Sequence, residues 1–414
     1  MRETIARNGS PALMRRMNAA RVLHEIRTSG PVSRADLTRI TGLSAPTVTN
    51  VVKYLGASGH VRPLTPEQPR SDGRHPTLYE FCADLHSVLG VDIGADKLMI
   101  VLADLDGQVL GKRRRDTSRL RKVGPDKLLK LVRETAAELM AEHEVADGDL
   151  LAVGVGTPGV VSAGGVVTIA PQLDGWEGLD LRARLADLFG CRVHVEREVI
   201  LSLLAEQWVG VAQDLDDALF VQLGVGVGAA LLLNGNAYRG ADGGAGEIGL
   251  MPLQGGGHLR LIAGYGPFES VTGGAALAHE GAAAARTADG AAMLAMADGG
   301  AAAVSATVVF EAAAAGDRAA SMIVNEALTI LAQGIASLVC ALNPRAVILS
   351  GGMSRAGDQV LRRPLEAKVA ALVPFPPVFL TSTVGEEAVA LGAIRRVTQT
   401  LEQDLILPDL QEAR

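Results

Sequence analysis

Short polar side chains and one lysine cluster in the segment that follows Leu43. Ser44 is placed to cap a helix there, and Pro46 fits the first turn of that helix without loss of a hydrogen bond. The face opposite the apolar side of this helix carries Thr47, Thr49, Asn50 and Lys53. Hydroxyl and amide groups this short let a helix approach the major groove of DNA and exchange hydrogen bonds with base edges. The spacing predicts a DNA-recognition helix.

Two helical patterns precede this helix and are needed to position it. In the first, the apolar face consists of Ala19, Val22, Leu23 and Ile26. The second is predicted to begin at a capping Ser33, to bury Leu37 and Ile40, and to end at Gly42. Two short helices joined by a turn that contains glycine are typical of the helix-turn-helix motif.

Two strand patterns follow the recognition helix and surround a polar loop that includes Arg74. Such a loop is a wing, in which Arg74 is suited to contact a phosphate or the minor groove. Residues 17–82 are therefore predicted to form a winged helix-turn-helix domain, after a flexible N-terminal segment at 1–16. The alternative is a three-helix packing module that binds no nucleic acid.

Charge is distributed unevenly along the 414 residues. The first 80 residues hold 12 Lys and Arg against 6 Asp and Glu, whereas the whole chain has a formal net charge of −7. A basic segment in front of an acidic remainder favours contact with a polyanion through the basic part alone. The three cysteines, Cys82, Cys191 and Cys340, form no CxxC pair, which argues against a disulfide framework. With no signal-peptide pattern at the N-terminus, we expect a soluble cytoplasmic protein.

The acidic remainder alternates strand patterns, glycine turns and helical patterns. Strand, glycine turn and strand occur over 88–110 and again over 217–240, and helical patterns are predicted at 125–143 and at 321–342. Within the Ala- and Gly-rich region 274–316, helices broken by loops are predicted, with a flexible linker as the alternative. This order indicates an α/β body with two related lobes. The apolar helix at 321–342 is also a candidate for contact between subunits.

Several motifs in this body occur in the same order as in a known family. They are DIGADK at 92–97, GVGTPGVV at 154–161, LGVGVGAALLLNG at 223–235, GGAGEIGLMP at 243–252 and LSGGMS at 349–354. With the winged helix-turn-helix, they resemble the ROK family of bacterial repressors, open reading frames and sugar kinases, among them its xylose and N-acetylglucosamine repressors. The resemblance implies a two-lobed, actin-like/hexokinase-type ATPase fold of the ribonuclease H-like class. It assigns residues 86–400 to an effector and dimerisation domain, with lobes at 86–200 and 201–400.

The residues that depart from the family pattern are those of the kinase reaction. Asp96 replaces the threonine of the first phosphate turn, and Val225 replaces the hydroxyl residue of the second. Arg197 and Glu198 stand where family kinases have an Asn-Asp pair, whose aspartate accepts the proton of the sugar hydroxyl. A carboxylate beside a phosphate is unfavourable, and a longer Glu side chain misplaces the base. We therefore expect no enzymatic activity and no ATP cofactor.

The family's structural zinc site also lacks its ligands. Leu250 occupies the histidine position, and the segment after it contains no cysteine. His258 is a lone histidine in a glycine-rich loop, where solvent exposure is expected. The sequence predicts no metal site.

Part of the family's sugar pocket is retained. By position, Glu247 and Glu269 match two carboxylates that hold sugar hydroxyls in the family, and Gln172 stands where an asparagine is usual. Arg197 and Glu198 fall in the same pocket. A guanidinium favours carboxylate or phosphate partners, so the effector could be an acidic or phosphorylated sugar or another anion. Alternatively, Arg197 pairs internally with Glu198 or Glu247 and partly fills the pocket.

Together these observations predict a DNA-binding transcriptional regulator of the repressor type, with a sugar-kinase-like domain that senses a sugar or an anionic sugar derivative. The expected partners are double-stranded operator DNA, a small-molecule effector and further copies of the chain in a homodimer or tetramer, with no membrane. The alternative is an active ATP-dependent sugar kinase with an added DNA-binding head.

Overall fold

The computed structural model describes residues 11–64, 76–120, 122, 124–170, 173–253, 262 and 264–400. The first unit, here called the head, runs from residue 11 to 81. Its elements are α1 Pro11–Ser29, β1 Val32–Ser33, α2 Arg34–Thr41, α3 Ala45–Ala57, β2 Val61–Pro63 and β3 Leu78–Phe81. The strands form an antiparallel sheet in the order β1-β3-β2 beside the three helices. The predicted winged helix-turn-helix is confirmed, with a third short strand, β1, that the sequence pattern did not reveal.

Helix α1 extends further toward the N-terminus than predicted. It begins at Pro11, so residues 11–16, which were expected to be flexible, are helical, and residues 1–10 lie outside the described part. The four predicted apolar residues of α1 are buried in the head. In α2, Leu37 is buried as predicted, but Ile40 is exposed and Thr41 is buried instead. The Thr41 hydroxyl donates to the Leu37 carbonyl within the same helix, so its polar group is satisfied in the core.

The body begins with a lobe built on a five-stranded sheet. Its elements are β4 Ser87–Ile93, β5 Lys97–Asp104, β6 Val109–Asp116, α4 Pro125–Glu142, β7 Leu150–Thr157, β8 Val160–Val161, β9 Val167–Ile169, α5 Leu181–Phe189 and β10 Arg192–Arg197. The sheet order is β10-β7-β4-β5-β6, and β8 pairs with β9 separately. Strands β4, β5 and β6 form an antiparallel meander, while β7 and β10 are added in parallel.

The second lobe repeats this topology. Its elements are α6 Glu198–Val209, β11 Ala218–Leu223, β12 Val227–Leu233, β13 Asn236–Tyr238, α7 Glu269–Thr272, α8 Gly274–Ala284, α9 Ala291–Met296, α10 Ala306–Ala314, α11 Arg318–Leu342, β14 Ala346–Ser350, α12 Arg363–Ala370, β15 Val378–Thr381 and α13 Ala388–Thr398. The order β13-β12-β11-β14-β15 again joins an antiparallel meander to two parallel strands. The two related lobes predicted from the sequence are confirmed.

The last helix, α13, belongs to the first lobe in space. A side chain at Gly90 in β4 or at Gly154 in β7 would collide with the α13 carbonyls of Ala390 and Ala393, at 2.1 and 2.3 Å. These glycines let the helix lie directly on the first sheet. The predicted assignment of residues 201–400 to the second lobe is therefore wrong for residues 388–398, because α13 packs on the sheet of the first lobe.

Helix α11 is long and apolar enough to cross a membrane, but 50% of its most apolar stretch is buried inside the protein. Leu328, Leu331 and Ile335 belong to the core of the second lobe. The region before it, residues 274–316, forms short helices broken by loops as predicted, since α8, α9 and α10 fall within it. Burial in its own lobe accounts for the apolar side of α11 without a subunit contact.

Candidate functional sites: an exposed recognition helix and a pocket between the lobes

Helix α3 presents its predicted polar face outward. Ser44 is the N-cap, and its hydroxyl accepts a hydrogen bond from the Thr47 amide, while Pro46 sits in the first turn. Val48, Val51, Val52 and Leu55 are buried on the opposite side. Because the apolar side is held in the head, the polar side is free of the head's core and available to a groove of DNA.

The predicted DNA-binding residues of α3 differ in their surroundings. Ser44, Pro46, Thr49, Asn50 and Lys53 are exposed. Thr47 is half-buried, and its hydroxyl lies 2.8 Å from that of Ser44. Thr47 therefore serves the helix cap as well as the outer surface.

Tyr54 is a residue of this face that the sequence reasoning missed. Tyr54 is 52% exposed and lies next to Lys53, one helical turn beyond Asn50 and two turns beyond Thr47. Its spacing of four residues from Asn50 and seven from Thr47 already places it on the polar face, and this was the signal that could have identified it. A tyrosine here adds a hydroxyl group and a flat apolar ring to the surface available for DNA.

The two strands of the wing are joined by ionic contacts of Arg62. Arg62 in β2 donates to the carboxylates of Glu80 and Asp84, at 2.6 and 3.3 Å, and so joins β2 to β3 and the following turn. Residues 65–75, which include Arg74, lie outside the described residues. The role assigned to Arg74 stays a prediction.

A cavity of about 740 Å³ lies between the two lobes. It is lined by four of the five predicted effector residues: Arg197, Glu198, Glu247 and Glu269. The fifth, Gln172, lies outside the described residues. The substituted phosphate-turn residues Asp96 and Val225 line the same cavity. A volume of this size suits a small molecule.

Arg197 is held almost completely inside the protein, with 2% of its side chain exposed. It ends β10 and stands directly before α6. Its guanidinium donates to the carboxylate of Glu247 and to the carbonyls of Ala245 and Gly243. Of the two carboxylates considered as internal partners of Arg197, the structure therefore pairs it with Glu247. Glu198 has a different partner.

Glu198 is the first residue of α6 and accepts a hydrogen bond from the Gln222 side chain at 2.9 Å. Burial raises the pKa of Glu198 to about 7, and the neighbouring carboxylate of Asp92 acts in the same direction. Asp92 is itself buried, which raises its pKa, and it forms an ion pair with Lys97 at 3.1 Å. Near neutral pH, the Glu198 carboxyl group can therefore accept a hydrogen bond when ionised or donate one when protonated.

Glu269 organises the wall of the cavity. Its two oxygens accept hydrogen bonds from the backbone amides of Val227 and Gly266, at 3.0 and 2.9 Å. A Cβ atom at Gly226 would lie 2.3 Å from the same carboxylate. These contacts join the glycine turn before β12 to the segment before α7, so Glu269 shapes the pocket while it lines it.

The positions expected for zinc and for nucleotide phosphates carry residues that differ from the family pattern. Leu250 has a side chain that cannot bind zinc, and the sequence contains no cysteine between 254 and 263. In the described ranges no group of three or more His, Cys, Asp and Glu side chains is arranged to hold a metal ion. A cavity of about 720 Å³, lined by Ala275, Thr307 and Phe310, borders the Val225 turn and offers room for a small molecule. The exposed Val225 lines both cavities and Asp96 lines the cavity of about 740 Å³, and neither side chain has a hydroxyl group to offer a phosphate.

The head and body together define a class: a winged-helix DNA-binding domain joined to a two-lobed body of the sugar-kinase type. Family models match in the same arrangement, the ROK family over residues 88–400 and the MarR family over residues 14–75. The chain belongs to the ROK family.

Named repressors and named sugar kinases are both similar to this chain. The xylose repressor of Caldicellulosiruptor bescii is 25% identical over 86% of this chain and 88% of its own length. The glucokinase of Thermotoga maritima is 30% identical over 74% of this chain and 95% of its own. The crystal structure of a ROK family transcriptional regulator, a homologue of the E. coli MLC protein, has a TM-score of 0.77 and 23% identity, and covers 97% of this chain and all of that one. The glucokinase match covers a smaller share of this chain than the match to this xylose repressor.

Proposed function

We propose that this protein is a transcriptional repressor that binds operator DNA through its head and responds to a small molecule in the pocket between its lobes. The observation that carries the proposal is the outward polar face of α3 on a head joined to a ROK body. The xylose repressor of Caldicellulosiruptor bescii is similar over 86% of this chain, and the glucokinase of Thermotoga maritima over 74%. The head provides the contact with DNA, and the body provides the response.

The direct test is selection of DNA by the full-length protein from random-sequence duplexes. A regulator enriches a common sequence, and its affinity for that sequence falls steeply with salt because phosphate contacts release counterions. Failure to enrich any sequence would contradict the proposal.

The effector proposed for the pocket is an uncharged sugar or similar polyol. Among the described side chains that line the cavity are four carboxylates, those of Asp96, Glu198, Glu247 and Glu269, against two cations, Lys97 and Arg197. Arg197 is already neutralised by Glu247. An anion would therefore meet an excess of negative charge, whereas carboxylates accept hydrogen bonds from neighbouring hydroxyl groups.

Calorimetry with three groups of compounds tests this proposal. We expect D-glucose, D-xylose or N-acetylglucosamine to bind more tightly than the corresponding sugar acids and sugar phosphates. Preferential binding of the acids or phosphates would favour the anionic effector instead and would require Arg197 to leave Glu247.

A sugar kinase with a DNA-binding head is the second candidate, because glucokinases are among the similar proteins. Asp96, Val225 and Glu198 argue against it for the reasons given above, and we propose that the body transfers no phosphate and needs neither ATP nor zinc. A coupled assay for ADP release with each sugar tests this. Turnover that depends on the sugar would contradict the proposal.

We further propose that the protein acts in the cytoplasm as a homodimer or tetramer. One head offers a small contact area, and two heads on one operator increase the affinity through their high effective concentration. Sedimentation with and without the selected duplex tests the assembly, and a monomer bound to a single half-site would contradict it.

A further inference from the structure

The head touches the body at the turn between β5 and β6. Arg27 in the last turns of α1 lies 3.6 Å from the carboxylate of Asp106, and only 11% of the Arg27 side chain is exposed. Burial raises the pKa of Asp106, and the charge of Arg27 opposes that shift. The amide of Leu105 in the same turn donates to the carbonyl of Ala83, in the segment that links head to body. This turn is therefore a fixed contact point for the head.

The turn is rigid and lies against a tryptophan of the body. The Asp104 carboxylate accepts hydrogen bonds from the amides of Asp106 and Gln108, at 3.0 and 2.8 Å. Gly107 has a φ of +84°, and a Cβ atom there would lie 2.4 Å from the ring of Trp208. Only glycine allows so close an approach at this backbone angle. The Trp208 ring is therefore packed directly against the turn.

Trp208 also packs against the core shared by head and body. That core contains Val22 and Leu23 of the head together with Ile394 of α13, and Trp208 lies at its side. The guanidinium of Arg395 is 5.8 Å from the centre of the Trp208 ring. Trp208 therefore connects α6, α13 and the contact turn.

Helix α6 spans the distance from this core to the pocket. It begins at Glu198 in the pocket and ends at Val209, so its 12 residues cover about 18 Å. Near its end, the buried Glu206 carboxylate accepts hydrogen bonds from the side chain of Ser382 and from the amides of Thr383 and Val384. The helix is continuous from Glu198 to Val209 and therefore links the pocket to Trp208.

On this basis, and resting on the proposed function, we infer that Trp208 and Asp106 are positioning residues that transmit the state of the pocket to the DNA-binding head through α6. Occupation of the pocket shifts the start of α6, Trp208 presses on or withdraws from the Gly107 turn, and the Arg27–Asp106 contact moves α1. The coupling needs no contact between the effector and the head.

A double-mutant cycle tests this without a known effector. Glu247→Gln releases Arg197 and perturbs the start of α6, and Trp208→Ala removes the contact with the turn. The readout is the dissociation constant for the selected duplex, measured by fluorescence anisotropy. We expect Glu247→Gln to change this constant about fivefold or more in the otherwise natural protein and less than about twofold in Trp208→Ala. An equal change in both backgrounds, or no change in either, would overturn the inference.

Two further variants keep the test decisive. If Trp208→Ala does not fold, Asp106→Asn takes its place in the cycle, since it removes the charge at the contact and keeps the size. Asp187→Asn and Tyr238→Ala, at exposed sites away from the contact, must retain the full effect of Glu247→Gln. If the natural protein binds no DNA sequence specifically, the proposed function itself is refuted. If it binds specifically but Glu247→Gln has the same effect in both backgrounds, only the route through α6 is refuted.

Discussion

The guanidinium of Arg197 donates a hydrogen bond to the carboxylate of Glu247, across the pocket that lies between the two lobes. Arg197 ends the last strand of the first lobe, and Glu247 comes from the segment after β13 in the second. One ion pair thus joins the two lobes inside the cavity.

Breaking this pair should destabilise the fold. Glu247→Gln leaves the buried Arg197 charge without its carboxylate partner, and we expect a loss of about 1–3 kcal/mol in the free energy of unfolding, less than for a fully buried pair because Glu247 is partly exposed. Urea unfolding measures the change. The matched control is Glu134→Gln in the exposed Lys130–Glu134 pair, which should cost under about 0.5 kcal/mol. Equal effects at both sites would show that Arg197 does not depend on Glu247.

The raised pKa of Glu198 should make stability depend on pH. The folded protein holds this proton up to a pH of about 7, whereas the unfolded chain loses it near 4.5. The folded state therefore binds more protons between these values, and the free energy of unfolding falls as the pH rises through this interval.

Glu198→Gln should remove that part of the pH dependence. We expect the variant to gain about 1–2 kcal/mol over the natural protein at pH 8 and to show little difference at pH 4.5, measured by urea unfolding at both values. Ser202→Ala, in the same helix, keeps Glu198 and should leave the pH dependence unchanged. A parallel pH profile for Glu198→Gln and the natural protein would contradict the shift.

Side chains on the head should affect DNA binding in two distinct ways. Asn50→Ala removes an exposed amide from α3 and should relax preference at one base pair by about 1–3 kcal/mol. Lys53→Ala and Arg74→Ala should weaken binding to all sequences alike and reduce the salt dependence. Binding to the selected duplex and to single-base variants distinguishes these effects. Lys130→Ala on the body serves as control, and uniform weakening by Asn50→Ala would show that it reads no base.

The contact of α6 with α13 should tolerate no added methyl group. A Cβ atom at Gly392 would lie 1.8 Å from the carbonyl oxygen of Leu201, so Gly392→Ala must push the two helices apart. We expect a loss of about 1–3 kcal/mol on urea unfolding. Gly148→Ala, where a Cβ meets no atom within 4 Å, should change stability by under about 0.5 kcal/mol. Similar values for both variants would contradict the close packing.

Local patterns predict the head well because its signals are close together in the chain. The Ser33 and Ser44 caps and the apolar faces of α1 and α3 appear as expected, since each depends on residues within a few positions. The predicted burial of Ile40 is wrong because α2 is short and its Thr41 side faces the core. Tyr54 was predictable from its spacing, since it lies four residues after Asn50 on the face opposite the buried valines.

The pocket is only partly predictable, because its contacts join distant parts of the chain. Four predicted residues do meet in one cavity. The choice of Glu247 as the partner of Arg197 depends on two lobes that close around the site, and the pKa of Glu198 depends on burial and on Asp92. The approach of Trp208 to Gly107 has no local signal at all, since 101 positions separate them.

The central claim is that the head recognises a DNA sequence. An anisotropy titration of the full-length protein with its selected duplex and with a scrambled duplex of the same composition tests it directly. The account predicts that the selected duplex binds about a thousandfold or more tightly at physiological salt. Equal affinity for the two duplexes would contradict it.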